Sequence, residues 1–483
     1  MQLEPETCYR ALAAHDARFD GCFFVAVSST RIYCRPVCRV KAPKRQNCSF
    51  YPSAATAEAA GYRPCLRCRP ELAPGNADVE AGNRIARHAA GLIEEGVGID
   101  GTAKRVGVTA RHLSRVFQRE FGVSPIAFAQ THRLLLAKRL LADTELPVTE
   151  IAFAAGFKSL RRFHALFQER YRLSPRQIRK TPRRGQSRPD ALIFNLSYRP
   201  PYDWDALLAF LDARSIAGVE EVSQSSYRRI VRVVQKGKLH AGWMEIRPEP
   251  GKNVMRVVAS VSLRKAIPIF LARVKHVLDL GCHPAQIGER LGALAAAKPG
   301  LRVPGAFDGF ELAVRAVLGQ QVSVAAARTL AGRFAAAFGS KVESPFEALS
   351  VAFPLARQVA NLEVDDITRL GILPSRARTI LALAKPVAQG AIVLRPGSDV
   401  SATIEKLQSI AGIGEWTAQY IAMRALAWPD AFPHTDLGIM KALGEKNPKR
   451  ILAAAEAWRP WRSYAVMHLW AGGLNGGSNG SVA

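Results

Sequence analysis

The chain runs to 483 residues, 48% of them hydrophobic, and sets 67 Lys and Arg against 40 Asp and Glu for a formal charge of +27. Such a length holds three or four domains, the composition excludes wholesale disorder, and the charge calls for a polyanionic partner, nucleic acid above all. No apolar run reaches membrane-spanning length and MQLEPETCYR has no signal-peptide core, so a cytoplasmic protein is expected, where stable disulfides are rare.

The first block, residues 1–76, is rich in Cys, Arg and Pro and closes on the turn-forming PELAPGN. Of eight cysteines, four fall into a pattern: Cys34-x3-Cys38, then 26 residues, then Cys65-x2-Cys68. Two close pairs bracketing a loop is metal-ligand spacing, and one Zn2+ on four thiolates is the expected occupant. Spacing alone leaves open whether such a zinc is structural or holds a reactive sulfur. Cys8, Cys22, Cys48 and Cys282 read as ordinary thiols.

Residues 80–180 are helical in pattern and contain a repeat. Ala103, Gly107, Leu113, Phe117 and Ser124-Pro125 recur as Ala152, Gly156, Phe163, Phe167 and Ser174-Pro175, offset by 49 residues at the start and 50 at the end. A small residue, a glycine four later and apolar positions at helical spacing predict a helix-turn-helix in each copy, the glycine permitting the tight turn. The second helix of each, about 109–119 and 159–169, is the predicted reader. Arg111, His112 and Arg115 in the first, and Ser159, Arg161 and Arg162 in the second, can face a major groove, although a surface arginine equally serves phosphate or solvent. A polar Pro/Gly/Arg-rich linker follows over 181–191, then an α+β stretch over 192–300 in which FNLSY and MRVVASVSL alternate as strands do, and from 301 to 475 helix follows helix.

FFVAVSSTRIYCRPVC, with the CLRC beyond it, resembles the amino-terminal domain of the adaptive-response (Ada) regulators of bacterial alkylation repair. The resemblance implies that Cys34 takes the methyl group of a methylated DNA phosphate and that Thr30, Lys41 and Arg63 meet DNA. The family often has arginine at the Lys41 position; lysine keeps the charge and loses the bidentate fork. Four thiolates on Zn2+ leave a double negative charge that repels phosphate, whereas a methylated phosphotriester is uncharged and can approach. Methyl transfer removes one of those charges, so damage becomes stronger DNA binding. The repeated helices resemble the AraC-type DNA-binding domain, which implies promoter DNA and RNA polymerase as partners. The second methyltransferase site of the Ada family, Pro-Cys-His-Arg, has no match in this sequence.

In LQSIAGIGEWTAQYIAMRAL, 407–426, one helix breaks at Gly412-Ile413-Gly414 and another starts at once. The glycines allow a sharp turn and bring bare N–H groups to a helix amino end that favours phosphate, the helix-hairpin-helix pattern. Asp436 follows in FPHTDLGIMKAL; an aspartate before a helical run is also a favoured N-cap, and the local string leaves both roles open. RPPYDWDALLAFLDAR, FELAVRAVLGQQVSVAAA and RPWRSYAVMHLW, together with the hairpin, resemble the AlkA-type 3-methyladenine DNA glycosylases of the helix-hairpin-helix superfamily.

That resemblance implies Asp436 as the catalytic carboxylate and Trp416, Tyr420 and Trp461 as the lining of a base pocket. Electron-rich rings there would attract cationic alkylated purines such as 3-methyladenine and 7-methylguanine. It places Gly412, Gly414, Gln320 and Gln321 against DNA, and a monovalent cation on the carbonyls of Gln408, Ile410 and Ile413. Lyases of the superfamily carry a Schiff-base lysine where this chain has Trp416, so a monofunctional glycosylase is implied. Ala411 replaces a frequent proline, and Gln321 stands where some members have a leucine wedge. The expected whole is multidomain α+β. It comprises a small zinc-binding α/β domain, an all-α double helix-turn-helix domain, a β-rich subdomain and an all-α helix-hairpin-helix domain, with no organic cofactor and no membrane partner. Sensing, gene activation and base excision would then share one bacterial polypeptide; the alternative is a transcription regulator whose glycosylase-like half only binds DNA.

Overall fold

A computed structural model describes residues 4–74, 84–144, 146–179, 191–235 and 237–472. Phe24–Val27 (β1), Ile32–Cys34 (β2), Cys48–Tyr51 (β3) and Arg63–Pro64 (β4) form one sheet in the order β3-β1-β2-β4. β1 runs antiparallel to β2 and β3, whereas β2 and β4 are parallel in the register Tyr33↔Pro64. A parallel pair needs a crossover. Here it passes through β3 and helix α1 (Ala54–Ala59), which starts where the Ser53 hydroxyl accepts the Thr56 N–H at 3.2 Å. The register has a chemical consequence: the next residues along the two paired strands are Cys34 and Cys65.

The repeat folds as predicted in kind. Ile99–Arg105 (α2) and Ala110–Phe121 (α3) make the first copy, Pro125–Asp143 (α4) crosses between copies, and Val148–Ala154 (α5) with Leu160–Tyr171 (α6) makes the second. Gly107 and Gly156 take φ of +73° and +90° in the turns, conformations that a Cβ would strain. Thr109 and Ser159 cap the readers by accepting the N–H of His112 and Arg162. The residue inserted in the second copy lies in its turn, since Gly107 stands two residues before its cap and Gly156 three. Leu113 and Phe117, like Phe163 and Phe167, are wholly buried.

The expected linker lies outside the described residues, apart from Ala191, which opens β5 (Ala191–Ser197). With β6 (Glu220–Ser223), β7 (Ser226–Gln235), β8 (Lys238–Pro248) and β9 (Val254–Ser260) it forms an antiparallel sheet, order β5-β9-β8-β7-β6. Leu192, Phe194 and Leu196 of β5 are buried and alternate with half-buried neighbours, the period of a strand with one face inward. That face shares one core with Ile151, Phe163 and Phe167 of the second helix-turn-helix copy. Helix α7 (Trp204–Ala213) covers the sheet.

Beyond lies a second large core, built from helices that include Gly309–Leu318 (α8), Pro374–Ala388 (α9), Val400–Gln408 (α10), Glu415–Arg424 (α11), Leu437–Leu443 (α12) and Arg462–Trp470 (α13). A two-residue strand pair, Ser340–Lys341 with Val351–Ala352, interrupts the helical run; it is too short to leave a period in the sequence. No helix among the described residues is long and apolar enough to cross a membrane.

Candidate functional site

The parallel register sets Cys34 beside Cys65, and each strand then turns at once to return a second sulfur. In the first turn the Cys38 N–H reaches the Arg35 carbonyl at 3.1 Å. The four Sγ atoms lie within 4.8 Å of one another, against about 3.8 Å for the edge of a tetrahedron with Zn–S bonds near 2.3 Å. Small side-chain rotations close that difference, and a soft donor set of four thiolates, three of them from buried cysteines, suits Zn2+ in a closed site.

The four sulfurs are not equivalent. Backbone N–H groups of Val40, Cys68 and Arg35 are directed at the sulfurs of Cys38, Cys65 and Cys68, the last at 3.4 Å. A hydrogen bond to a thiolate lowers its pKa, and nucleophilicity falls with it, so these three sulfurs are damped. Without metal, bonding to Cys38 and the other two sulfurs pushes the Cys34 thiol far above the ordinary range, while bonding to Cys34 above all pulls Cys65 far below it. Behind the cluster a buried Arg35 holds Asp20 (Nε to Oδ1, 2.8 Å) and the Cys68 carbonyl (Nη1, 3.1 Å). No spacing in the sequence announced that support. Thr30, in the turn between β1 and β2, and Lys41, in the loop beyond Cys38, are exposed, and Arg63 of β4 is half-buried.

The readers α3 and α6 present matching faces. Arg111, Arg115, Arg161 and Arg162 are all exposed, opposite the buried stripe. His112 lies 3.4 Å from Arg115. Ser159, expected in a groove, is committed instead to capping α6, where its hydroxyl accepts the Arg162 N–H at 3.4 Å.

The hairpin joins α10 to α11. Gly412 has φ +91°, and a Cβ on it would lie 2.1 Å from the Thr379 hydroxyl, which itself bonds the Ala411 carbonyl at 2.9 Å. Gly414 has an ordinary backbone and open space where its Cβ would stand, as a surface that meets a phosphate requires. Gln320, expected against DNA, turns inward: its amide donates to the Gly412 carbonyl at 2.8 Å and the Thr417 hydroxyl at 3.0 Å. It fastens the hairpin to the end of α8. Gln321 is the exposed neighbour, held at φ +53° at the turn's tip.

Asp436 is the N-cap of α12, Oδ1 accepting the Ile439 N–H at 3.1 Å. Two indoles also converge on it, Trp416 on Oδ2 at 2.8 Å and Trp470 on Oδ1 at 2.9 Å. Trp416 stacks on Tyr420 with centroids 5.3 Å apart and planes 7° from parallel, and Trp470 leans on Tyr420 at 6.4 Å. The Tyr420 oxygen accepts from Arg424 at 2.7 Å; burial would raise this phenol, but Arg424 and Arg214 outweigh it and bring it below its ordinary range.

Trp461 is not in this group. It caps the start of α13 and packs on Tyr464, whereas Trp470 ends the same helix. Nine residues are two and a half turns, about 13 Å along the axis and on the opposite side. Trp470 thus takes the place expected for Trp461. The string RPWRSYAVMHLW carries both tryptophans, and only the packing of α13 on α12 says which end meets the carboxylate.

Four family models match in succession: the metal binding domain of Ada over 7–71, a helix-turn-helix domain over 102–181, the AlkA N-terminal domain over 193–308, and the HhH-GPD superfamily base excision DNA repair protein over 314–461. The "Probable bifunctional transcriptional activator/DNA repair enzyme AlkA" of Mycobacterium tuberculosis is 38% identical over 96% of each chain. DNA-3-methyladenine glycosylase 2 of Escherichia coli is 35% identical over 58% of this chain and 96% of its own. The Bifunctional transcriptional activator/DNA repair enzyme Ada of the same organism is 36% identical over 35% of this chain and 48% of its own. With the mycobacterial match running through all four modules, the chain belongs to the family of fused transcriptional activators and DNA repair enzymes that this relative represents.

Proposed function

We propose that this chain senses DNA alkylation, activates repair genes and excises alkylated bases, working in the bacterial cytoplasm. In the amino-terminal module Cys34 accepts the methyl group of a DNA methylphosphotriester. Zinc, when bound, keeps the sulfurs as thiolates at neutral pH. The Cys34 sulfur attacks the methyl carbon. A C–S bond forms, the C–O bond breaks, and its electron pair stays on the phosphate oxygen as the restored diester charge. Thr30, Lys41 and Arg63 hold the backbone on which this happens. Arg111, Arg115, Arg161 and Arg162 bring the readers to promoter DNA, with RNA polymerase as the partner that activation needs.

The carboxyl-terminal half hydrolyses the N-glycosidic bond of 3-methyladenine and 7-methylguanine. The cationic base meets the faces of Trp416, Tyr420 and Trp470. The glycosidic bond breaks with its electron pair passing to the base, which leaves neutral, while the Asp436 carboxylate stabilises the oxocarbenium-like sugar. Water adds at C1′, gives up a proton and leaves an abasic site. Trp416 stands where a lyase would have its lysine, so no Schiff base forms. Gly412 and Gly414 offer N–H groups to the backbone, and Gln321 fills the gap left by the flipped base. A monovalent cation on the carbonyls of Gln408, Ile410 and Ile413 fits the turn; the Ile410 oxygen takes the Ile413 N–H at 3.0 Å and keeps a second lone pair.

The observation that carries the enzymatic reading is the Asp436 carboxylate, pinned by two indole N–H groups beside a stacked aromatic pair. Release of 3-methyladenine from alkylated duplex should fall at least about a hundredfold in Asp436→Asn. A wild-type chain that binds alkylated duplex and releases no base would reduce this half to a DNA-holding module. Mass spectrometry after exposure to methylphosphotriester DNA should find one methyl on Cys34; a methyl on Cys68, the most exposed ligand, would overturn the assignment.

A further inference from the structure

The metal centre is tied to the helix-turn-helix unit by residues that flank its own ligands. Tyr33, which precedes Cys34, donates its hydroxyl to Glu58 at 3.1 Å; the same carboxylate accepts Thr131 of α4 at 2.8 Å and Tyr171 of α6 at 3.4 Å. The carbonyl of Cys65 takes the Lys138 ammonium of α4 at 3.4 Å, and that ammonium meets Glu71 at 2.5 Å. Arg69, which follows Cys68, reaches Asp143 at the end of α4 through bonds of 2.7 and 2.9 Å, and Glu71 at 3.0 Å. Arg139, next to Lys138 and buried, bonds the Asn195 carbonyl of β5 at 2.6 Å and lies 3.8 Å from Asp143.

The ion-paired groups of this seam do not balance among themselves. Among the ion-paired groups Lys138, Arg69 and Arg139 face Glu71 and Asp143, an excess of one positive charge that Glu58, bonded only to hydroxyls, offsets to the extent that it is ionised; the Lys138 and Glu71 side chains are only 2% exposed. Buried excess charge needs a counter-charge close by. Glu58 supplies part of it, and the four-thiolate centre, on whose Cys65 carbonyl Lys138 sits, supplies the rest.

We propose that this seam is a charge-operated joint between the metal module and α4, with Lys138 as its positioning residue. It rests on the methyl-acceptor reading above. The methyl carbon gains sulfur and loses phosphate oxygen, so one thiolate becomes a neutral thioether and the phosphate recovers its charge. The centre then holds Lys138 and Arg69 less strongly, the seam loosens, and the readers α3 and α6 are freed to adjust on DNA.

The test uses the full zinc-loaded chain, methylated by a short duplex carrying one methylphosphotriester and then freed from it at high salt. Hydrogen exchange read by mass spectrometry should be at least about fivefold faster over 125–143 after methylation. Lys138→Gln should exchange that fast before methylation and gain nothing from it, and Lys138→Arg should restore wild-type behaviour. Unchanged exchange over 125–143 in wild type whose Cys34 carries the methyl overturns the joint, whatever the variants do. Should Cys34 take no methyl, it is the methyl-acceptor reading that fails. The joint is then judged by Lys138→Gln: exchange raised over 125–143 supports a charge-held seam, and exchange equal to wild type refutes it.

Discussion

Trp470→Phe separates the two tryptophans of α13. The substitution removes the Nε1–H that bonds Asp436 Oδ1 at 2.9 Å and keeps a ring able to stack on Phe210, which lies 6.4 Å away with planes at 17°. A hydrogen bond to a charged group contributes about 1.5–3 kcal/mol. If that bond holds the carboxylate where the sugar's charge develops, its loss appears in the chemical step as about a 10- to 150-fold slower rate. The assay is single-turnover release of 7-methylguanine with enzyme in excess, so that binding and product release drop out. Trp461→Phe, altered at the far end of the helix against Tyr464, should stay within about twofold. A Trp470→Phe rate within twofold of wild type, or a Trp461→Phe rate as slow as Trp470→Phe, refutes the geometry.

Gly412→Ala places a Cβ 2.1 Å from the Thr379 hydroxyl at φ +91°, so affinity for undamaged duplex should fall at least about tenfold, read by fluorescence anisotropy. Burial raises the Glu58 carboxyl to about 7 from an ordinary value near 4.5, so between those values the folded state binds the extra proton. Stability is therefore greatest at the acid end and falls as pH rises to about 7, by roughly 3 kcal/mol in all. Thermal unfolding should show that slope between pH 5 and about 7 in wild type, level off above it, and lose it in Glu58→Gln. Borohydride added during turnover should trap no covalent protein–DNA adduct, because Trp416 offers no amine; a trapped adduct would make the chain a lyase.

What could be read from the residues followed the range over which each feature is encoded. The cysteine spacing was sufficient because a metal site built on two strand ends needs close pairs, and parallel register does the rest. The helix-turn-helix repeat was legible because its apolar period and turn glycines are local. Adjacent residues with opposite duties were not. Gln320 and Gln321 look alike in the string, yet one bonds the hairpin and the other faces solvent, a difference set by where a loop 92 residues away comes to rest. The seam at Lys138 was invisible for the same reason, since Glu71 and the Cys65 carbonyl lie far off in sequence and the cysteine motif says nothing of what its backbone meets.

Asp436 shows why a local reading that leaves two roles open need not be choosing between rivals. As an N-cap it must turn one oxygen back to the Ile439 N–H, and that bond fixes the side chain on the first turn of α12. Fixed there, its two oxygens face the indole N–H groups of Trp416 and Trp470, one from each of two other helices. Three donors around one carboxylate leave it little freedom to rotate, so the charge is already oriented before a sugar arrives, and no reorganisation remains to be made in the reaction. On the proposed reading the capping bond is thus part of the catalytic geometry. For that reason Asp436→Asn removes more than a charge: an amide NH2 turned toward either indole sets donor against donor, and the carboxylate's neighbours lose their alignment with it.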